Sequence, residues 1–224
     1  MTRSRIAGGL LACLASLVLV ACVSAADVAT GGPGGGSGLA LTADGGVVVT
    51  ANDLDPSGSF PDDPVAVAVY VEPLCPHCKA FAADQGRLLE ERLAAGAITL
   101  EYRMVSFLDN GTTGHASARS VNAALCVAET GGPAAYDAFV TGLLDGQTPS
   151  GLSDEDLVAL ADDAGAAGAE ACIEAQEHAD LVAELTNEAM ETIEGTPTVV
   201  VDGKTLQGTP TTTELAAMLG TTTV

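Results

Sequence analysis

Apolar and polar positions change their spacing several times along this chain, and each change predicts an element. Behind Thr2-Arg3-Ser4-Arg5, the run Ile6 to Ala21 is apolar or small and carries no charge. That is the length of a signal h-region and short for a membrane span. Gly31 to Gly38 contains only Gly, Pro and Ser, so it has nothing to bury and reads as a flexible tether. Gly46-Val47-Val48-Val49-Thr50 is a β-branched run and predicts a short first strand. Val65 to Val71 is apolar almost throughout, as a strand covered on both faces must be. Lys79 to Leu93 has helical spacing, with Phe81, Leu88, Leu89 and Leu93 on one stripe and Gly96 as the stop. Ile98 to Val105 alternates again and predicts a third strand.

From His115 to Ile193 the pattern becomes helical and rich in Ala, Leu, Glu and Asp. Breaks at Gly131-Gly132-Pro133, Thr148-Pro149-Ser150-Gly151 and Gly165-Ala166-Ala167-Gly168 divide it into four or five helices. Ser153 ahead of Asp154-Glu155-Asp156 reads as an N-cap with acids in the first turn. Strand pattern returns at Pro197 to Val201, Asp202-Gly203 signals a turn, and Lys204 to Gln207 supplies the partner strand. A last helix is expected over Thr213 to Leu219, with Thr211 and Glu214 as a capping box and Gly220 as its end. Strand-helix-strand, a helical block, then hairpin-helix gives an α/β chain of thioredoxin-like fold with an inserted helical domain. The expected organisation is a signal over 1–21, a tether over 22–41, the first part of the fold over 42–114, the insertion over 115–193 and the second part over 194–224.

Composition changes this picture in two ways. Aromatic residues are only 3% with no Trp, so Val, Leu and Ala must do most of the packing. There are 30 acidic residues against 8 basic ones, and two of the bases, Arg3 and Arg5, lie in the acid-free signal. The mature chain would therefore carry 30 acids against 6 bases, a net −24. Such a charge argues against nucleic acid and against electrostatic docking on anionic lipid, since both rely on Lys and Arg. A heavily solvated acidic surface is the expectation.

The six cysteines sort by position. Cys13 lies inside the signal. Leu19-Val20-Ala21-Cys22 resembles the bacterial lipobox, which implies that Cys22 is lipidated and becomes the new N-terminus. Ordinary cleavage near Ser24-Ala25-Ala26 is the alternative. Cys75 and Cys78 are three positions apart and have an obvious mutual partner, which leaves Cys126 and Cys172 to each other as a helix-to-helix staple.

A Cys-x-x-Cys is by itself ambiguous between redox centre and metal site, but Cys75-Pro76-His77-Cys78 stands where a buried strand meets a helix. There Cys75 faces unpaired amide hydrogens and the positive end of the helix dipole, and both favour a thiolate. Pro76 is tolerated in the first turn, and His77 adds a positive charge when protonated. Stabilising the reduced form makes the disulfide form a stronger oxidant.

Over Val65 to Leu219 the sequence closely resembles the DsbA-like thiol:disulfide oxidoreductases. The likeness is carried by Val71-Glu72-Pro73-Leu74-Cys75-Pro76-His77-Cys78, by the helical insertion, and by Gly195-Thr196-Pro197-Thr198-Val199. It implies a cis proline packed against the redox pair. Of the two Gly-Thr-Pro triplets, at 195–197 and 208–210, only Pro197 leads into a Val-rich strand, so the cis bond is assigned to Thr196-Pro197. Thr196 can then offer its amide and carbonyl to a substrate strand. Glu72 matches an acid common in this branch and either shuttles protons for Cys78 or faces solvent. Val69 stands where thioredoxin has its buried Asp. His115 and His178 are expected at the surface.

The resemblance implies a dithiol oxidase of exported proteins with free thiols, reoxidised by a quinone-linked membrane partner, without organic cofactor or metal. The expected location is the outer face of the cell membrane, held by lipid, with a secreted or periplasmic form as the alternative. Rival readings are a reductase or isomerase of the same fold, as in cytochrome maturation, a Cys₄ zinc site from Cys75, Cys78, Cys126 and Cys172, and a tethered binding lipoprotein with an inert disulfide.

Overall fold

A computed structural model describes residues 38–220, so the signal, Cys22 and the tether up to Ser37 lie outside the described residues. In chain order the elements are β1 (Val47–Val49), α1 (Ala51–Leu54), β2 (Val65–Val71), α2 (Pro76–Ala94), β3 (Ile98–Met104) and α3 (Ala116–Asp145). They continue with α4 (Asp154–Asp163), a 3₁₀ turn (Ala167–Ala169), α5 (Glu170–Ala175), α6 (Ala179–Met190), β4 (Thr198–Val201), β5 (Lys204–Thr205) and α7 (Thr212–Met218).

The five strands form one sheet in the order β1-β3-β2-β4-β5. Strand β2 runs parallel to β3, from Val65 opposite Ile98 to Val71 opposite Met104. Antiparallel β4 covers its other edge, from Val67 opposite Val201 to Tyr70 opposite Thr198. The middle place explains the continuous apolar run: Val67 to Val71 are all buried. Strand β4 turns into β5 through Asp202 and Gly203, both at positive φ, as a two-residue hairpin requires. This partner strand is shorter than the expected Lys204 to Gln207. Leu206 N–H still reaches Val199 O at 2.8 Å, but Gly208 at φ +69° turns the chain away.

Local chemistry fixes the helix ends. Thr50 with Asp53, Ser153 with Asp156 and Thr211 with Glu214 are complete capping boxes. The first of these starts α1, a single turn between the first two strands that the periodicity of the sequence does not predict. Such a turn is too short to show periodicity, and only its cap marks it. The expected break at Gly131-Gly132-Pro133 is a single non-helical residue: Gly132 (φ 75°, ψ −172°) separates two helical stretches of α3. Pro133 lacks an N–H and fits the first position of the second stretch.

The core lies between the sheet and helices α2 and α3, with Val49, Val69, Leu89, Leu93, Leu100, Tyr136 and Phe139 sealed from solvent. The Tyr136 hydroxyl donates to Tyr102 O at 3.1 Å, tying α3 to the sheet. Cys126 of α3 and Cys172 of α5 are joined by a disulfide with Cα atoms 5.8 Å apart and 46 positions between them in sequence. Closing a loop of that length stabilises the fold by roughly 4 kcal/mol in the chain-entropy model. Among the described residues no helix is long and apolar enough to cross a membrane.

Candidate active site

The centre of the sheet delivers the chain to the site. Strand β2 ends at Val71, and Glu72-Pro73-Leu74 carries it to Cys75, the N-cap of α2, with Pro76 at the helix start. Cys75 O accepts the first-turn amides, from Cys78 N at 3.0 Å and Lys79 N at 3.3 Å. Both cysteines are free thiols. They are not equivalent, because Cys75 retains 6% exposure and Cys78 none.

The Thr196-Pro197 bond is cis, at the first of the two Gly-Thr-Pro triplets. The Cys75 thiol donates to Thr196 O at 3.4 Å, which brings the loop before β4 against the first turn of α2. On the inner side, Glu72 N–H donates to Cys78 Sγ at 3.5 Å. Burial pushes the Cys78 thiol up to about 12, while the Glu72 amide and the Thr196 hydroxyl act in the opposite direction. In the dithiol state that hydroxyl is buried without a hydrogen-bond partner, and it stands where it can donate to a Cys78 thiolate.

Glu72 does not face solvent; it is fully buried. Its carboxylate accepts from Leu74 N at 2.7 Å and Leu108 N at 3.4 Å, and from the Ser117 hydroxyl. Burial holds its carboxyl above the ordinary range, with the nearby Asp109 charge acting in the same direction and the three donors against. Asp109 in turn caps α3, accepting from Ser117 N at 3.0 Å and Ala118 N at 2.9 Å. One buried acid thus joins the active-site loop, the segment after β3 and the start of the insertion. Ser117 and Asp109 escape a sequence reading because a Ser in a helical pattern and an Asp in a turn carry no signal of what they touch.

Pro76 and His77 are exposed on the first turn of α2, and Pro197 is buried. His115 is exposed, at φ 59° before α3. His178 corrects the surface expectation: its side chain is only 16% exposed and Nε2 lies 3.0 Å from Glu129 Oε2. It sits with Cys126 and Cys172, the three ligand-type atoms within 4.8 Å of one another. The two sulfurs there are bonded to each other and offer no thiolate, so the four-cysteine zinc reading loses two of its ligands.

A family model described as Thioredoxin matches residues 60–220. The reduced disulfide bond oxidoreductase DsbG of Mycobacterium tuberculosis is 28% identical at a TM-score of 0.68, with 78% of this chain and 85% of that one covered. Reduced DsbA of Mycobacterium tuberculosis is 29% identical at a TM-score of 0.61, with 72% and 84% covered. MdbA of Corynebacterium diphtheriae, a thiol-disulfide oxidoreductase, is 20% identical at a TM-score of 0.63, with 78% and 90% covered, a likeness of fold alone. No curated protein matches the chain significantly.

Proposed function

The chain belongs to the thioredoxin family, and from that premise we propose that it is a DsbA-like thiol:disulfide oxidoreductase working outside the cytoplasm as a dithiol oxidase of exported proteins. The observation that carries this reading is the asymmetry of the pair: Cys75 at the helix start beside Thr196 O, Cys78 sealed behind it. A substrate can reach the first sulfur and not the second.

In the oxidised enzyme, a substrate thiolate attacks Cys75 Sγ. The Cys75–Cys78 bond breaks, a substrate–Cys75 bond forms, and the electron pair leaves on Cys78. Burial makes that leaving thiolate costly, so it must take a proton as it departs. The Glu72 N–H and the Thr196 hydroxyl support the developing charge on Cys78 Sγ, which takes up the proton that the substrate thiol gave up on ionising, with the buried Glu72 carboxyl as the group that relays it. A second substrate thiolate then attacks the substrate sulfur of the mixed disulfide and expels Cys75. Two electrons pass to the enzyme, the substrate leaves with a disulfide, and both enzyme cysteines end reduced. A quinone-linked membrane partner takes the two electrons and restores the Cys75–Cys78 bond. Thr196 and Pro197 form the ledge on which an extended substrate strand lies. His77, exposed on the first turn, adds positive charge beside Cys75 when protonated.

Location follows from the signal run and Cys22, through which lipid holds the domain at the outer face of the cell membrane. Direction is tested by the reduction potential of the Cys75–Cys78 couple. The oxidase reading expects a value near the oxidising end of the fold, about −120 mV; a value near about −270 mV contradicts it and leaves a reductase.

A further inference from the structure

The segment that follows α3 reaches back over the loop that carries Cys75. Gly146 is the C-cap of α3, and Gln147 comes next. The Gln147 side-chain amide donates to the Pro73 carbonyl and to the Cys75 carbonyl, the latter at 3.1 Å. Two carbonyls can be met only by the NH₂ end of an amide, so its acceptors fix the orientation of this side chain. In return the Lys79 ammonium, in the first turn of α2, donates to the carbonyls of Asp145 at 2.8 Å and Gln147 at 3.1 Å. Farther along, Gly151 (φ +75°) approaches so closely that an added Cβ would lie 2.4 Å from Ala116 Cβ and 3.2 Å from the Leu74 side chain. Helix α2 therefore holds this segment, and the segment holds the two carbonyls that flank Leu74.

We infer that Gln147 is a positioning residue for Cys75, fixing the Pro73–Cys75 loop so that the Cys75 sulfur keeps its place between Cys78 and an incoming sulfur. The inference rests on the reading of Cys75 as the attacked and attacking atom. Thiol–disulfide exchange is a displacement in which three sulfurs must come into line, so its rate depends on how narrowly the central one is held. Cys75 O already accepts two first-turn amides. Those bonds place the carbonyl at the helix start, and Glu72 holds the amides of Leu74 and Cys75, which leaves the Pro73 and Cys75 carbonyls to be tied together from across the fold. Gln147 is the group that spans them. Because the same loop geometry serves attack on Cys75 and attack by Cys75, the clamp acts on the rate in both directions and leaves the equilibrium alone.

Two variants separate the donor from the packing. Gln147→Met keeps length and volume but has no N–H; Gln147→Glu keeps the shape and turns an acceptor toward the two carbonyls. The measurements are the rate constants of the reduced protein with oxidised glutathione and of the oxidised protein with reduced glutathione, on variants whose near-ultraviolet spectra match the parent's. Gln147→Ala serves where Met alters that spectrum. The expected result is a loss of about three- to tenfold in both directions for Gln147→Met, the range that one or two lost hydrogen bonds supply. Gln147→Glu should be at least as slow, and the reduction potential should not move. Parent-like rates in either variant, or a loss in one direction only, overturn the inference. Should the parent itself fail to exchange with glutathione, the reading of Cys75 falls first and takes this inference with it; parent exchange with unaffected variants sinks the inference alone.

Discussion

Two thiols of the same chemical type, three positions apart, are made different by where β2 stops and α2 starts. Cys75 sits at the mouth of the helix against Thr196 O, whereas Cys78 is enclosed and its thiol is pushed up to about 12 by burial. At pH 8 only about one Cys78 in ten thousand is then a thiolate, the form that alkylates. Iodoacetamide added to the reduced native protein at that pH should label Cys75 and spare Cys78, with a rate difference of at least about a hundredfold. Peptide mapping checks this, and equal labelling would contradict the asymmetry. At this scale the sequence is informative about the residues that define the motif and silent about those that support it. Cys75, Cys78 and Pro197 stand out because their spacing and flanking strands are distinctive. Ser117 acts through a hydrogen bond across 45 positions, Asp109 through bonds across 8 and 9, and Gln147 through bonds across 74 and 72, and no local pattern encodes such partners.

Elements were legible where one force dominated. Val65–Val71 shows its central place in an unbroken apolar run, and Ser153 and Thr211 show their helices by capping chemistry. Gly132 was legible as an interruption but not as a kink within one long helix, because the packing of the second stretch decides whether the chain resumes its direction. The packing of α2 on α3 has a consequence for pH. Asp137 of α3 is held up to about 6 by burial, with the charge of Glu90 on α2 adding to the effect. A carboxyl whose folded value lies above its unfolded value binds its proton more tightly in the native state. Its contribution is therefore fully present below about pH 4 and is lost as pH rises through about 6. Asp137→Asn should leave the melting temperature nearly unchanged at pH 4 and raise stability by on the order of 1 kcal/mol at pH 7.5. Scanning calorimetry at the two pH values checks it; a gain at pH 4 that disappears at pH 7.5 would show that the sign is wrong.

On the scale of the molecule, a five-stranded sheet brings two distant stretches of chain, Glu72–Cys78 and Thr196–Pro197, to one end, with β2 and β4 as neighbours. The helical insertion closes over that end through Glu72, Ser117 and Gln147. The full chain carries a formal net charge of −22, which favours dispersion in water, and in the proposed reading attachment to a membrane falls to the N-terminal segment. Cys22→Ala in the full-length chain should move the protein from the membrane pellet to the soluble extracytoplasmic fraction, whereas parent-like pelleting would remove the lipid anchor from the account.

Cys75 is the sulfur proposed to meet substrate, and trapping tests this directly. A Cys78→Ala variant, incubated with a reduced exported protein and an oxidant, should accumulate a mixed disulfide whose crosslinked peptide contains Cys75 and no other cysteine of the chain. A Cys75→Ala variant that traps substrate equally well through Cys78, or adducts found at Cys126 or Cys172, would contradict it.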